Sequence, residues 1–480
     1  MPTILLTTLN ARYSHASLGL RYLLANMGDL TSTTRLLEYS INSRSIDVAE
    51  SLLSYDAKII GFSLYIWNIT ETIRLLSIIK TVSPETVVVV GGPEISHEVE
   101  NNKISSLVDY IICGNADVAF ANLCQLIIAK NSPQEKIIQA PFVHPKDIQF
   151  PYQYYNDEDI ANRLIYVEAS RGCPYQCEFC LSSLDKTSWS LDIDLFLQEL
   201  QRLFQRGVRQ FKFVDRTFNL KIKTSLRILE FFLDKLDSDL FLHFELVPDK
   251  LPDELRQIIQ KFPSGTLQFE IGIQTFNPEV QALVSRKQDM QKTHENIQWL
   301  SDATDVHLHV DLIVGLPGES LQSFAEGFDQ LVKLKPHEIQ VGLLKRLKGT
   351  PIVRHTIEYE MKYNPEAPYN ILSTSLIDFG QMQRLARFAR YWDLMGNSGH
   401  FKNTIKLISA DQPFNSFMML SDWLYQSTDQ THRIALKRLF KLMFVGLTDG
   451  LKLDKNLVFN ALKCDFKQSN LKGSSEFIRE

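Results

Sequence analysis

Three closely spaced cysteines carry the most distinctive chemistry in this sequence. Cys173, Cys177 and Cys180 form a CxxxCxxC motif. Cysteine thiolates are the usual ligands of iron–sulfur clusters, and a cube of four irons needs four ligands. Because no fourth cysteine lies nearby, one iron would be open to bind and activate a substrate or cosubstrate, as the open position of a catalytic zinc does. A three-cysteine zinc site is the structural alternative, but it would need a nearby histidine, and residues 182–190 contain none.

The composition is typical of a globular chain with several domains. Its 480 residues are 44% hydrophobic and 22% charged, which predicts roughly two to four domains and excludes a small disulfide scaffold or a disordered chain. The net charge of −5 is too balanced for a surface that binds polyphosphate all over. No run of about 18 apolar residues predicts a membrane span.

The amino-terminal residues lack the basic start and the cleavage site of a secretion signal, so we expect a cytoplasmic location. In that reducing compartment a cysteine cluster favours a metal or redox site over disulfides. The other cysteines, Cys113, Cys124 and Cys464, lie in apolar or helical contexts. We expect them to be small buried residues without chemistry.

The elements that position the motif belong to an α/β chain. Residues 1–135 alternate short β-rich runs with helical patterns, which predicts a doubly wound, Rossmann-like domain with a parallel sheet. Two of its strands end in Gly61-Phe62-Ser63 and Gly91-Gly92-Pro93. In such sheets the ligand crevice lies outside the carboxyl ends of the strands, where these residues fall.

Three further segments follow the first domain. Residues 136–160 predict an ordered linker, and residues 161–355 show a second alternating series with six strand-like runs. This series predicts a partial six-stranded (βα)6 barrel similar to a TIM barrel, with its active site at the carboxyl ends of the strands. The cysteine motif follows the first of those strands. Residues 356–480 are helix-periodic without strand signals and predict a helical carboxyl-terminal domain.

A CxxxCxxC motif at the end of the first strand of a partial barrel resembles the signature of radical S-adenosylmethionine (SAM) enzymes. The resemblance implies that Cys173, Cys177 and Cys180 hold a [4Fe-4S] cluster whose fourth iron binds the amino and carboxylate groups of SAM. Reductive cleavage of SAM then gives a 5′-deoxyadenosyl radical, with the electron coming from a donor such as flavodoxin or ferredoxin. The resemblance also implies that Phe179 lies near the adenine or the cluster.

Other strand ends extend this resemblance. Asp215, in VDRTFN, stands where many family members carry Gly-Gly-Glu for the methionyl amino group, and it is our candidate for that contact. Glu270 and Gln274 resemble residues that meet the ribose or the methionyl part. Asp311 and Gly315 resemble the segment against which adenine packs.

The domain order resembles that of cobalamin (B12)-binding-domain radical SAM proteins with an extra carboxyl-terminal domain. This resemblance implies that the dimethylbenzimidazole tail of cobalamin is lined by Ser63, Tyr65, Gly91, Gly92 and Pro93. His15 lacks the Asp and Gly that accompany a cobalt-ligating histidine, so we expect base-off cobalamin without a protein histidine ligand. The turn Cys113-Gly114-Asn115-Ala116-Asp117 departs from the family's usual GEGE-like sequence.

The resemblance implies methyl transfer to an unactivated carbon: the deoxyadenosyl radical removes a hydrogen and methylcobalamin delivers the methyl group. A methylthiotransferase-like enzyme that modifies RNA is one alternative. Its support would be a basic helix in the last eighty residues, which hold twelve Lys or Arg against eight Asp or Glu, although a solvated helix face is the simpler explanation of those charges. A non-enzymatic scaffold or sensor that carries a cluster is the other alternative. The substrate stays open.

Overall fold

The computed structural model describes residues 2–408, 412–469, 471–472 and 478. The chain forms two compact units. The first consists of Met1–Glu245, Arg346–Pro351 and Pro365–Tyr369. The second consists of Leu246–Lys345, Ile352–Asn364 and Asn370–Glu480.

The first unit begins with a parallel sheet in the strand order β2-β1-β3-β4-β5-β6. Its central strands Ile59–Ser63 and Val87–Gly91 are largely apolar because helices cover both faces of a parallel sheet. The strands are β1 (Ile4–Asn10), β2 (Thr34–Ser40), β3 (Ile59–Ser63), β4 (Val87–Gly91), β5 (Tyr110–Cys113) and β6 (Ile137–Gln139). The helices are α1 (Leu18–Ala25), α2 (Ser45–Leu53), α3 (Ile69–Val82) and α4 (Ala119–Ile128).

Two separate apolar cores flank this sheet. Leu5, Ile60 and Val90 pack with residues of α2 and α3 in one core. Residues of alternate parity, such as Ile4 and Leu6, pack with residues of α1 and α4 in the other. Helices therefore cover both faces, and the doubly wound prediction is confirmed. Strand β6 lies within the segment expected to be a linker.

The same unit contains the first strands of the barrel segment. Helix α5 (Asp157–Asn162) precedes β7 (Ile165–Val167), and the short strands β8 (Ser170–Arg171) and β9 (Trp189–Ser190) pair antiparallel. Strands β7, β10 and β11 are parallel neighbours, with β10 in the middle. The elements after β9 are α6 (Ile193–Gln205), β10 (Gln210–Phe213), α7 (Ile222–Leu233) and β11 (Phe241–Leu246).

The second unit continues the alternation of strand and helix. Strands β12, β13 and β14 are parallel neighbours, with β13 in the middle. All six strands predicted for the barrel segment are thus present among the described residues, three in each unit. The elements are α8 (Asp253–Ile259), β12 (Leu267–Gln274), α9 (Pro278–Leu283), α10 (Met290–Ala303), β13 (His307–Val314), α11 (Leu321–Lys333) and β14 (Glu338–Leu343).

The carboxyl-terminal part is mostly helical, as predicted, with two corrections. A short antiparallel pair, β15 (Lys362–Tyr363) and β16 (Ile371–Ser373), interrupts it. These strands are too short to show a periodic pattern. Cys464 is exposed rather than buried, because it lies on the outward face of its helix. The helices are α12 (Phe379–Trp392), α13 (Lys402–Ile408), α14 (Pro413–Thr428), α15 (Leu436–Val445) and α16 (Lys455–Gln468).

No helix in the described part of the chain is long and apolar enough to cross a membrane.

Candidate functional site

The cysteine loop leaves the hairpin strand β8 through Gly172. This glycine has a φ of +85°, and a Cβ at its position would collide with the backbone of Thr187. Beyond it, Cys173 and Cys177 are buried and Cys180 is half-buried, and none of the three forms a disulfide. The loop is fixed by its own hydrogen bonds, because Ser183 Oγ donates to the carbonyl oxygens of Cys177 (2.9 Å) and Cys180 (2.6 Å).

The three thiols are electrostatic neighbours. Burial raises the pKa of the Cys173 thiol, and the thiols of Cys180 and Cys177 raise it further. Among the described residues, no three Cys, His, Asp or Glu side chains meet closely enough to hold a single metal ion. A cube of four irons places each thiolate on a different iron, so the three thiols need not converge on one point to hold it.

Phe179 is half-buried, within the same loop. The structure thus places it beside the cysteines in the chain, and its contact with adenine stays a prediction.

Asp215 is buried at the end of β10 and holds the end of the first barrel strand. Its Oδ2 accepts from the backbone N–H of Ala169 (2.9 Å), and its Oδ1 accepts from Ser170 Oγ (2.5 Å). Both oxygens therefore support the two residues that lead into the cysteine loop. The contact of Asp215 with the amino group of SAM stays a prediction.

Replacing Asp215 by asparagine should remove a pH dependence of stability. Burial raises the pKa of Asp215 from 3.8 to about 7, so between these values the unfolded chain has lost a proton that the folded chain keeps. Asp215 therefore contributes a fall of roughly 4 kcal/mol in wild-type stability as pH rises through this window, at 1.36 kcal/mol per pKa unit. The Asp215→Asn variant should lack this fall, in urea denaturation of cluster-free protein between pH about 4 and about 8.

The exposed Asp239 is the control for this measurement, because Asp239→Asn should keep the wild-type pH profile. Parallel profiles for wild type and Asp215→Asn would contradict the prediction.

A pocket of about 410 Å³ opens in the first unit, within the usual range for ligand sites. It lies at the carboxyl ends of β3, β4 and β5, where the doubly wound topology places a ligand crevice. Four of the residues predicted to line a cofactor tail lie in the wall of this pocket: Ser63, Tyr65, Gly91 and Gly92. Pro93 is next in the chain and is not among the lining residues.

One wall of this pocket is small and apolar. Gly92 has a φ of +110°, and a Cβ there would lie 2.5 Å from the carbonyl oxygen of Leu64. At Gly61 a Cβ would lie 2.6 Å from the ring of Phe120. These glycines are therefore required by close packing, and they leave a smooth wall of Gly61, Val89, Gly91, Gly92, Ile112 and Phe120.

The other wall of the pocket comes from the residues around the cysteine loop. Ser170, Arg171 and Gly172, which immediately precede Cys173, line it together with Arg216. Arg216 is half exposed and pairs with Glu245, Nη1 to Oε1 at 2.8 Å. The pocket is thus shared by the glycine-bearing strand ends and the start of the cysteine loop.

Asn68 is a site residue that the sequence reasoning missed. Its fully buried amide donates to Thr8 Oγ1 (3.1 Å) and to the carbonyl oxygens of Leu9 (3.2 Å) and Ser63 (3.1 Å). Its Oδ1 accepts from the N–H of Tyr65 (2.9 Å). Asn68 thereby fixes the ends of β1 and β3 against the loop that carries Tyr65. A polar residue closing the apolar run GFSLYIWN was the available signal.

His15 packs edge-on to Tyr166, with the ring centroids 6.0 Å apart. Burial lowers the pKa of His15. It is not among the residues that line the pocket.

The remaining predicted SAM contacts lie in the second unit, on β12 and β13. Gly272 faces Asp311 across the two strands, and Gln274 has a φ of +73° at an irregularity in this pairing. Asp311 Oδ1 lies 3.2 Å from His309 Nε2, and burial raises the pKa of Asp311. Glu270 lies on the same strand as Gln274. The structure therefore brings these side chains onto adjacent strands of one unit, as the predicted strand order requires.

Gly315 follows β13 with a φ of +86°, and a Cβ there would lie 2.7 Å from the Ile371 side chain. Only glycine fits this close approach.

Three family models match successive parts of the chain. The B12 binding domain model matches residues 4–124, and the radical SAM superfamily model matches residues 167–331. A protein family of unknown function, DUF4080, matches residues 357–479.

Two curated relatives share 22% identity with the chain. The 2-(S-pantetheinyl)-carbapenam-3-carboxylate methyltransferase of Streptantibioticus cattleyicolor aligns over 62% of this chain and 48% of its own length. The cobalamin-dependent radical SAM methyltransferase TokK of Streptomyces tokunonensis aligns over 64% and 49%. The chain thus spans about half the length of the curated relatives that it matches.

The solved structure of the cobalamin-dependent S-adenosylmethionine radical enzyme OxsB with aqua-cobalamin bound is similar over 100% of this chain and 82% of that chain. The TM-score is 0.67 and the identity is 14%. This similarity concerns the fold, and it confirms the fold class predicted from the sequence.

Proposed function

The chain belongs to the radical SAM superfamily and has a B12-binding domain ahead of its barrel, and on that premise we propose that it is a cobalamin-dependent methyltransferase. It cleaves SAM at a [4Fe-4S] cluster and methylates an unactivated carbon of its substrate. The superfamily membership predicted from the motif is confirmed. The two cofactors and SAM agree with the matched models.

One observation carries this proposal: a single pocket in the first unit touches both cofactor regions. Glycines of the B12-binding domain, such as Gly91 and Gly92, form one wall, and Ser170, Arg171 and Gly172 ahead of the first cysteine form the other. A methyl carrier and a radical source must both lie close to the substrate, because hydrogen removal and methyl delivery at one carbon depend on proximity and orientation.

The cysteine loop fits a cluster in both its donor set and its shape. None of Cys173, Cys177 and Cys180 forms a disulfide, and Ser183 holds their loop by hydrogen bonds to its backbone. Three thiolates leave one iron open for SAM. When bound, the cluster with SAM supplies the radical that removes hydrogen, and cobalamin supplies the methyl group.

The glycine wall fits a flat, extended cofactor tail. Gly61 packs against the Phe120 ring and Gly92 against the Leu64 backbone, so neither position projects a side chain into the pocket that they line. Ser63 and Tyr65 add polar groups at the mouth. Around the two cofactors, this chain's residues orient and exclude water: Asn68 fixes the strand ends, and Asp215 fixes the entry to the cysteine loop. We assign Glu270, Gln274, Asp311 and Gly315 to SAM, and Phe179 to the region of the adenine or the cluster.

Reductive cleavage of SAM consumes one electron, which we propose comes from a donor such as flavodoxin or ferredoxin.

The test is anaerobic reconstitution with iron, sulfide and hydroxocobalamin, followed by gel filtration and addition of SAM and dithionite. We expect iron and sulfide near four per chain, retained corrinoid, and formation of 5′-deoxyadenosine. Iron and sulfide without any corrinoid uptake would overturn the methylation proposal. A fully loaded cluster that releases no 5′-deoxyadenosine would overturn the enzymatic proposal and favour the scaffold alternative.

A Gly92→Ala variant should weaken cobalamin binding by about tenfold, which corresponds to 1.4 kcal/mol. The new Cβ meets the Leu64 carbonyl oxygen, and relief of that contact moves the pocket wall. Fluorescence quenching by hydroxocobalamin measures the affinity. The control is Gly207→Ala, because Gly207 has a similar φ of +100° but nothing within 4 Å of its Cβ position. Gly207→Ala should suffer only the backbone strain of a positive φ and keep the wild-type affinity for cobalamin. Equal cobalamin affinities in the two variants would contradict the assignment of Gly92 to the pocket wall.

A further inference from the structure

Arg171 is the residue through which the two walls of the pocket are joined. Its guanidinium makes a bidentate pair with Asp117, Nη1 to Oδ2 at 2.9 Å and Nη2 to Oδ1 at 3.2 Å. Its Nε donates to Glu168 Oε1 at 2.6 Å. These groups are largely buried, with side-chain exposures of 18% for Arg171 and 10% for each carboxylate. Charge-assisted bidentate pairs of this kind are strong and geometrically specific.

An aromatic ring also contacts the guanidinium of Arg171. The guanidinium carbon lies 4.3 Å from the centroid of the Tyr22 ring, which is on α1 and buried. Asp117, Glu168, Arg171 and Tyr22 all line the pocket. A ligand in the pocket therefore meets this cluster directly.

The two ends of the cluster belong to different functional regions. Asp117 closes the turn after β5, the turn in which this sequence departs from the family pattern. Arg171 stands two residues before Cys173, and the connecting Gly172 is packed against the Thr187 backbone. Because Gly172 joins Arg171 directly to Cys173 and packs against the Thr187 backbone, we expect a shift of Arg171 to be passed on to the start of the cysteine loop.

We propose that Arg171 is a positioning residue that couples cobalamin binding to the [4Fe-4S] loop through its pair with Asp117. The inference rests on the proposed function. When the cluster orders its loop, the position of Arg171 is fixed. Arg171 in turn fixes Asp117, which lines the pocket proposed to bind cobalamin. Coupling between two sites is reciprocal, so each cofactor binds more tightly when the other is present. The altered turn supplies the partner for this coupling.

The test compares hydroxocobalamin affinity in cluster-free and cluster-loaded protein, with iron and sulfide assays to verify loading. We expect the wild type to bind about tenfold more tightly when loaded, within the usual range of coupling between sites. Arg171→Met and Asp117→Asn should reduce that ratio to about one, and the double variant should change it no further. Arg171→Lys keeps the charge but not the bidentate geometry, and it should restore part of the ratio.

The matched control is Asp109→Asn, at the opposite end of the same strand β5. Asp109 pairs with Lys80 at 2.6 Å and accepts from the Val88 N–H at 2.7 Å. Its loss should lower the melting temperature but keep the tenfold ratio. If Arg171 had a purely structural role, its variants would weaken cobalamin binding equally in the cluster-free and the cluster-loaded protein, and the ratio would not change.

The proposal is overturned if the wild type shows one affinity in both forms, or if the Arg171 and Asp117 variants keep the wild-type ratio. Either result leaves the proposed function standing. Absence of any cobalamin binding by the wild type would overturn the proposed function and this inference together.

Discussion

Replacing Cys177 by alanine should abolish 5′-deoxyadenosine formation. With one of three thiolates gone, a second iron loses its protein ligand, and the buried loop no longer holds the cluster. Substitutions beyond the metal ligands already cost about 10- to 100-fold, so loss of a ligand should cost more. The iron content and the broad visible absorption of the reconstituted protein should fall together with the activity.

Cys464→Ala is the control, because Cys464 is an exposed cysteine outside the cluster loop. Its iron content and activity should equal those of the wild type. Full cluster loading and full activity in Cys177→Ala would refute the assignment of the motif, whereas equal losses in both variants would point to general thiol damage.

The second large effect is expected in the stability of the amino-terminal domain. Arg21 on α1 is buried and donates through Nη2 to Glu38 (2.8 Å) and Asp159 (2.7 Å). Arg21→Met would leave Arg163 as the charged partner of both buried carboxylates, 3.0 Å from Glu38 and 3.4 Å from Asp159. Breaking a buried ion pair by removal of one partner costs about 3 to 5 kcal/mol. Urea denaturation at neutral pH should show a loss of this size.

The loss should depend on pH. Burial by itself would raise the pKa of Glu38, but Arg21, together with Asn10 and the Ser17 N–H, holds it below its ordinary value. The wild type therefore loses this stabilisation as pH falls through the folded pKa. Without Arg21 the variant lacks most of this stabilisation at neutral pH, so the difference between the two proteins should shrink as pH falls below the ordinary Glu38 pKa of 4.5.

An exposed pair of the same type provides the comparison. Arg44 and Asp47 lie 2.8 Å apart on the surface, where solvent screens their attraction. Arg44→Met should leave the urea midpoint unchanged. An Arg21→Met midpoint equal to that of Arg44→Met would show that the buried network does not stabilise the fold.

Local patterns in the sequence predicted the strands, most helices and the cluster loop. Continuous apolar runs such as β4 mark buried parallel strands, and the spacing of Cys173, Cys177 and Cys180 depends only on neighbouring residues. Two features could not be predicted from local sequence patterns. The pair of β15 and β16 is too short to show a period, and the exposure of Cys464 depends on which face of α16 packs.

The sequence alone therefore predicted the cysteine motif, the glycines at the strand ends and the succession of sheet, barrel segment and helical part, because each shows in local residue patterns. The tertiary structure decided which residues support them. Arg171 meets Asp117 across 54 positions, Asp215 meets Ala169 across 46, and Arg21 meets Asp159 across 138. Such pairs have no local signature: a charged residue in the sequence looks solvated until the fold buries it, and burial then requires a partner of opposite charge or a hydrogen bond.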